Sequence, residues 1–297
     1  VRAWAGPDDT TALQGLASRL WPLGLHPGGL GWSAAIGQLG DVALAELPEG
    51  LAGWAALDDD ALTVQVDPRH PDAAAALVAW AVARAPGRDL VCGVTDGDAA
   101  VRAALRAAGF VPAPDAPAPV GMVRPATPEG ASLPAGYRIR PVAPGETQAR
   151  VDCHRAAWRP ADLPFAPELA ARTPADAQSR FSPRLDEQVR RTWLYDPALD
   201  LVVEAPDATL AGCCLVWFDP ATGWAEIEPL GIVPAHRNRG LAGALCLDAA
   251  ARVHARGGRG LFIHNGPRAD YPAPAGAYAK VGFEVVVRGA PYRRAAP

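Results

Sequence analysis

Apolar and polar stretches follow one another along this chain in an order that reads as alternating strands and helices. Asp200–Glu204 and Leu210–Phe218 are apolar runs joined by the turn-forming Ala205-Pro-Asp-Ala-Thr209, which predicts a hairpin. A second turn, Asp219-Pro-Ala-Thr-Gly223, leads into a strand over Trp224–Val233. The apolar run Leu241–Ala255 predicts a helix and Gly260–His264 another strand. A further helix carries Tyr278 and stops at Gly282, the residue type expected as a helix terminator. Upstream, Tyr137–Pro141 supplies a first strand, and the polar, proline-punctuated stretch 154–195 predicts helix in pieces.

The same order occurs twice. Ala61–Pro68 followed by the Ala73–Ala85 run echoes Ile227–Pro234 followed by Leu241–Ala255. Gly109-Phe110 after a helical run echoes Gly282-Phe283, and Arg2–Asp9 echoes Arg140–Glu146. Each half reads as strand, helices, three strands, helix, strand, helix, strand, an internal repeat. A length of 297 residues favours two domains. Val111–Ala135 is rich in Pro, Ala and Gly, and its prolines deny it long helices. Pro119–Arg124 reads as the last strand of the first copy and the rest as linker. The expected domains are residues 1–130 and 131–297.

One turn carries candidate chemistry. Val233-Pro-Ala-His-Arg237-Asn238-Arg239-Gly240-Leu241-Ala242-Gly243 joins a strand to a helix. Such a turn aims several main-chain N–H groups and the positive end of the helix dipole at one spot. Gly240, Ala242 and Gly243 keep side-chain bulk away, which suits a pyrophosphate. On the strand before it, Glu226 and Glu228 lie two apart and share a face. Two close carboxylates raise the pKa of one, which helps a base work near neutrality.

Composition narrows the field. Hydrophobic content of 49% suffices for packed cores, and a net charge of −4 gives no support for nucleic-acid or anionic-membrane binding. No apolar run is long enough to span a bilayer. The odd, scattered Cys92, Cys153, Cys213, Cys214 and Cys246 suit reduced thiols in a cytoplasm and no disulfide framework. Cys213 and Cys214 should face opposite sides of their strand. Lys280 is the sole lysine, so a phosphate loop of the Gly-Lys-Ser/Thr type is excluded before it. The histidines form no His-x-x-x-His pair, and no metal site is expected.

The turn, of form Arg-x-x-Gly-x-Ala, resembles the acyl-CoA pyrophosphate loop of the GNAT acetyltransferase superfamily. Ala275-Gly-Ala-Tyr278-Ala-Lys-Val-Gly282-Phe283, one strand later, resembles the family's second motif. The resemblance is specific across residues 224–284, and the doubled design is similar to that of the mycothiol synthase type. It implies an α/β (α+β) fold of two tandem GNAT-like domains, each a mixed, mostly antiparallel sheet flanked by helices. It implies an acetyl-CoA-dependent N-acetyltransferase acting on a primary amine of a small molecule, by direct attack in a ternary complex. Acetyl-CoA enters as cosubstrate, without a metal.

Residue by residue, the resemblance assigns cofactor contacts to Arg237, Asn238, Arg239, Gly240, Leu241, Ala242, Gly243 and Asn265. Main-chain N–H groups at Leu230, Gly231, Ile232 or Val233 would meet the thioester oxygen. Glu226 falls at the family's base position, with Glu228 as second candidate, and Tyr278 is the proton donor. In the first copy Pro71-Asp-Ala-Ala74 stands opposite Arg237–Gly240, and Leu105 opposite Tyr278, so that copy is expected not to catalyse. Alternatives are an acyl-CoA sensor or scaffold without turnover and, among enzymes, a mycothiol-synthase-like or amino-sugar or antibiotic acetyltransferase. The protein is expected in the cytoplasm as monomer or homodimer. Asp186, Glu187, Asp196 and Asp200 weakly favour a cationic acceptor.

Overall fold

Turn residues cut the chain where the pattern predicts. The computed structural model describes every residue except Pro117, 266–269 and Pro297, and the side chain of Val287. The chain forms two compact units, one of Val1–Gly121 with Val286–Pro297, the other of Met122–Val285.

The first unit begins with strand β1 (Arg2–Ala3) and helices α1 (Pro7–Leu20) and α2 (Pro27–Ala35). Strands β2 (Asp41–Leu47), β3 (Gly50–Asp58) and β4 (Ala61–Val66) follow, then helix α3 (Asp72–Arg84) and strand β5 (Leu90–Thr95). Helix α4 (Ala99–Ala107) and the short β6 (Val111–Pro112) complete its N-terminal part. Adjacent strands are antiparallel except β4 and β5, which pair in parallel at Ala61↔Val91 and Leu62↔Cys92. Apolar side chains of α1 and α2 pack on one face, around Leu13, Leu16, Leu30, Leu44 and Trp54. Those of α3 and α4 pack on the other, around Leu77, Val78, Leu90, Val101 and Leu105.

The second unit contains β7 (Val120–Pro125), β8 (Arg138–Pro141), α5 (Thr147–Ala157), α6 (Pro167–Ala170) and α7 (Pro183–Arg190). After them come β9 (Asp200–Glu204), β10 (Leu210–Asp219), β11 (Trp224–Ile232), α8 (Leu241–Ala255), β12 (Gly260–Ile263) and α9 (Ala273–Ala279), and then β13 (Glu284–Arg294), which from Val286 onward belongs to the first unit. The sheet order is β7-β12-β11-β10-β9-β8. Again one pair, β11 with β12, is parallel among antiparallel neighbours. The repeated order and the mostly antiparallel sheets agree with the expected fold class.

The strand beyond each parallel pair comes from an unexpected part of the chain. In the first unit, β5 is flanked by Gly289–Arg294 of β13. In the second, β12 is flanked by Met122–Pro125 of β7. Proline content put the division near residue 130, whereas the units divide at Gly121/Met122 and the last residues join the first unit. The difference arises because ladder partners, not local composition, decide where β7 and β13 belong.

The two faces of the second sheet differ in chemistry. One is apolar, where α8 and α9 cover Val216, Ala225, Ile227, Leu261 and Ile263. The other faces α5, with Cys153, Val202 and Cys213 as its small apolar cluster. Cys214 belongs to the opposite cluster, so the adjacent cysteines do face opposite sides. All five cysteines are buried and free.

Buried among the residues of the second unit are the ionisable Arg150, Asp186, Asp200 and Glu226. Arg150 on α5 donates through Nε to Asp200 Oδ1 at 2.9 Å, and Tyr195 donates to Oδ2 at 3.2 Å. Removing one partner of such a buried pair costs roughly 3–5 kcal/mol, so this pair fixes α5 against β9. Helix α7 starts at Ser182, whose hydroxyl accepts from the Leu185 N–H, with Pro183 in the first turn.

Candidate active site

The parallel pairing of β11 with β12 is short. It covers Trp224↔Gly260, Ala225↔Leu261 and Glu226↔Phe262, whereas β11 runs on to Ile232. Beyond Glu226 the two strands part. The antiparallel partner β10 follows β11 throughout, with one irregularity: Cys214↔Leu230 and Val216↔Ile227 leave Leu215 opposite both Glu228 and Pro229. This is a β-bulge, a device that re-aims side chains. The carbonyl it displaces, that of Glu228, accepts the Trp217 indole N–H at 2.6 Å.

Alternation along an antiparallel ladder decides which main-chain groups face the opening. The Val233 N–H donates to Ala211 O at 2.9 Å, and Gly231 stands opposite Cys213. The N–H groups of Gly231 and Val233 therefore point at β10. Those of Leu230 and Ile232 point to the side where β12 has departed. Of the stretch 230–233, only alternate residues can offer a donor there.

The turn after β11 ends in an uncapped helix. A 3-10 turn spans Pro234–His236, Asn238 has φ 60°, and Gly240 has φ 78° as N-cap of α8. A left-handed N-cap suits glycine, which has no Cβ to clash. A Cβ built on Gly240 meets no atom within 4 Å, so the space before the helix is open. No side chain caps α8, and the first N–H in its ladder is that of Ala244, which donates to Gly240 O at 3.0 Å. The N–H groups of Leu241, Ala242 and Gly243 then lie in the first turn, where a helix supplies no acceptor. Asn238, Arg239 and Gly240 are exposed.

Two residues of the turn differ from expectation. Gly243 makes room for packing: a Cβ there would lie 2.8 Å from Val281 Cγ1. Arg237 spends its guanidinium on carbonyls, through Nε on Ile232 and Nη2 on Ala157, each at 3.1 Å, and Nη1 on Asp162. It ties the end of β11 to the C-terminus of α5 and the segment after it. His236 is held by Tyr137, with hydroxyl and Nδ1 2.9 Å apart.

Glu226 and Glu228 remain on the face opposite the apolar cluster that holds Ala225 and Ile227. Glu226 is buried. Glu228 keeps part of its surface exposed, yet desolvation of its carboxyl, and after it the charge of Glu226, pushes its pKa up to about 8. Tyr278 on α9 is buried against Phe283, ring centroids 5.8 Å apart. Burial first, then the charges of Cys246 and Glu228, raise its pKa well above the ordinary phenol value. The hydroxyl keeps its proton across the neutral range.

Asn265 follows β12 and is half-buried; the next residues, 266–269, lie outside the described residues. The neighbouring loop meets the segment before α6: Ala166 N–H donates to Asp270 O at 2.8 Å, and Phe165 packs on Tyr271 at 5.1 Å. The acidic residues before the core strands each have an arginine. Asp186 pairs with Arg190, Glu187 with Arg191, Asp196 with Arg256 and Asp200 with Arg150. Their charge is met within the chain, which removes the argument for a cationic acceptor.

Sequence reasoning missed Trp158. This half-buried residue caps the C-terminal end of α5 and stacks on His154. Burial, and after it the charge of Arg150, pushes the His154 pKa down to about 3, so that imidazole is neutral. A Cβ on Gly231 would lie 2.8 Å from Trp158 Nε1, so the indole rests directly on the main chain of β11. Nothing local to Trp158 signals this; a glycine inside a strand, a mark of close approach, is the available sign.

Among the described residues, no group of three or more His, Cys, Asp or Glu could hold a metal ion, and no helix is long and apolar enough to cross a membrane.

Comparison with known proteins agrees with this geometry. Residues 167–283 match the model of the Acetyltransferase (GNAT) family. A mycothiol acetyltransferase of Kineococcus radiotolerans is 32% identical over 124 residues, 42% of this chain and 36% of the relative. One from Clavibacter michiganensis is 32% identical over 111 residues, 37% of this chain and 35% of the relative. The matched region thus spans about a third of the length of these curated relatives.

Among solved structures, a GCN5-related N-acetyltransferase from Sphaerobacter thermophilus superposes with TM-score 0.55 at 21% identity, covering 99% of this chain and 94% of the other. A tandem GNAT protein from the clavulanic acid biosynthesis pathway gives TM-score 0.57 at 16% identity, covering 98% and 97%. Both share the fold over nearly the whole length of this chain, and the second is a tandem GNAT protein. The strand opening at Glu226 and the uncapped α8 lie within residues 167–283, the part of the chain that is similar to the GNAT acetyltransferase family.

Proposed function

We propose that the chain is an acetyl-CoA-dependent N-acetyltransferase that acts on a primary amine of a small molecule, by direct attack in a ternary complex. The observation that carries this is the parting of β11 from β12 after Glu226, immediately before the uncapped N-terminus of α8. The residues fit acetyl-CoA, which supplies an activated acetyl thioester when bound. The Leu241, Ala242 and Gly243 N–H groups would hold the pyrophosphate, with Gly240 leaving room and Asn238 and Arg239 at its side. The Leu230 or Ile232 N–H would donate to the thioester oxygen, and Asn265 lies at the end of the neighbouring strand. Arg237 acts from behind, by fixing the turn.

Glu228 is the base this reading favours over Glu226, because a pKa of about 8 suits a proton acceptor working near neutrality. Tyr278 would return a proton to the leaving thiolate. The curated relatives are mycothiol acetyltransferases, which makes a mycothiol-type acceptor the narrower reading.

The first unit is read as non-catalytic. At the start of α3, the Ala73 and Ala74 N–H groups already donate to His70 and Pro71 carbonyls, at 3.0 and 3.1 Å. Pro71 has no N–H, Asp72 brings a negative charge, and β4 pairs with β3 without a bulge.

The base assignment is tested by the pH dependence of turnover with one accepted amine. In the wild type, kcat/KM should climb with pH and level off above about pH 8, where Glu228 has ionised. Glu228→Gln should lose that limb and ~10²-fold or more of the plateau rate. If Glu226→Gln removes the limb and Glu228→Gln keeps it, the roles are reversed. Stability gives an independent check. The folded chain holds the Glu228 proton to about pH 8, while an ordinary glutamate releases it near 4.5. Raising pH across that window withdraws stability from the wild type, and less from Glu228→Gln.

A further inference from the structure

Trp158 Nε1 is buried and has no hydrogen-bond partner among the described residues. A buried indole N–H normally finds an acceptor, so an unpaired one beside a candidate site asks for a ligand atom. Its position is specific. Its Nε1 and Cδ1 atoms lie 2.8 and 3.2 Å from the point where a Cβ of Gly231 would be. Gly231 sits between Leu230 and Ile232, whose N–H groups face the strand opening, and just beyond the bulge at Glu228 and Pro229. The α5 C-terminus that carries Trp158 is fixed there by Arg237, which donates to the Ala157 carbonyl at 3.1 Å.

We infer that Trp158 is a catalytic residue: its indole N–H donates to the acyl oxygen beside the main-chain donor of β11. As the amine attacks, its carbon–nitrogen bond forms, its surplus proton passes to Glu228 and the carbonyl electron pair moves onto that oxygen. It returns as the carbon–sulfur bond breaks and the thiolate takes a proton. A second fixed donor is strongest while the oxygen carries charge, which lowers the barrier more than it tightens ground-state binding. Glycine at 231 lets the end of α5 reach the strand, since a Cβ there would lie 2.8 Å from both the Ala157 Cβ and the Trp158 Nε1. The inference rests on the N-acetyltransferase reading above.

The test uses the full chain labelled with ¹⁵N at tryptophan. The Trp158 indole resonance, identified by its loss in Trp158→Phe, should move on adding acetyl-CoA and stay nearly still on adding CoA, which lacks the acyl oxygen. Trp158→Phe should bind CoA as the wild type does and lose ~10²-fold in kcat. Gly231→Ala, whose methyl crowds the indole and the Ala157 Cβ alike and so moves the ring from the strand with its chemistry intact, should reproduce that loss. A resonance that responds equally to both ligands overturns the inference, as does unchanged kcat in Trp158→Phe. Equal loss of CoA and acetyl-CoA affinity in that variant would make Trp158 a packing residue. A wild type that binds neither ligand overturns the acetyltransferase reading itself, a result distinct from binding with a silent indole.

Discussion

Ala242→Glu should abolish measurable acetyl-CoA binding while leaving the fold as stable as the wild type, or slightly more so. The two effects have opposite signs because one carboxylate is placed against one dipole. Ala242 lies in the first turn of α8, which no side chain caps. A glutamate there complements the positive end of the helix and stabilises it by about 0.3–1 kcal/mol. The same charge stands where a pyrophosphate would accept N–H bonds. Hydrogen bonds to charged groups are worth ~1.5–3 kcal/mol each, so losing two of them weakens binding by roughly 10²–10⁴-fold. Gly240→Glu tests the same spot with less clean logic, because φ 78° strains any side chain. Calorimetry with acetyl-CoA and a thermal melt separate the two effects. Unchanged affinity in a folded Ala242→Glu chain would remove the pyrophosphate from this turn.

Tyr278→Phe is expected to lower kcat by ~10²–10⁴-fold, the usual share of a general acid, with little change in acetyl-CoA affinity. The ring is buried in the α8 and α9 core and packs on Phe283. Phenylalanine keeps those contacts, so a loss of turnover cannot be charged to misfolding. The hydroxyl is a suitable donor because burial keeps it protonated well above neutral pH. On this proposal the phenol would act only as the thiolate leaves, so its removal should lower kcat and leave binding unchanged. Wild-type turnover in Tyr278→Phe, with chemistry limiting, would make the residue a core aromatic only.

Much of this site was legible in the sequence because its parts are local. The β9–β10 hairpin, β11, α8 and β12 lie within a residue of the ends that turn residues and apolar runs predict. The strand-to-helix turn announces itself by glycine and by the lack of a polar cap. What was not legible depends on partners far along the chain. The bulge at Glu228 and Pro229 exists only relative to β10, and it decides how Glu228 is presented. The motif suggested that Arg237 meets a phosphate, but three carbonyls from separate segments claim it. Gly243 looked like room for a ligand and is room for Val281. The acidic residues 186–200 looked like an electrostatic lure until their arginines were located, some on other elements. The strands β7 and β13 could not be assigned from composition, since partners far along the chain, β12 and β5, decide the unit to which each belongs.

We propose that this chain moves an acetyl group from CoA to an amine. It is tested most directly by measuring thiol release from acetyl-CoA by the full chain, with and without a panel of small primary amines, beside the Ala242→Glu variant. Release should depend on an amine, saturate in both substrates and disappear in Ala242→Glu. Acetyl-CoA that binds tightly, yet yields no thiol above background with any amine, would contradict it and make the chain a binder of acyl-CoA without turnover.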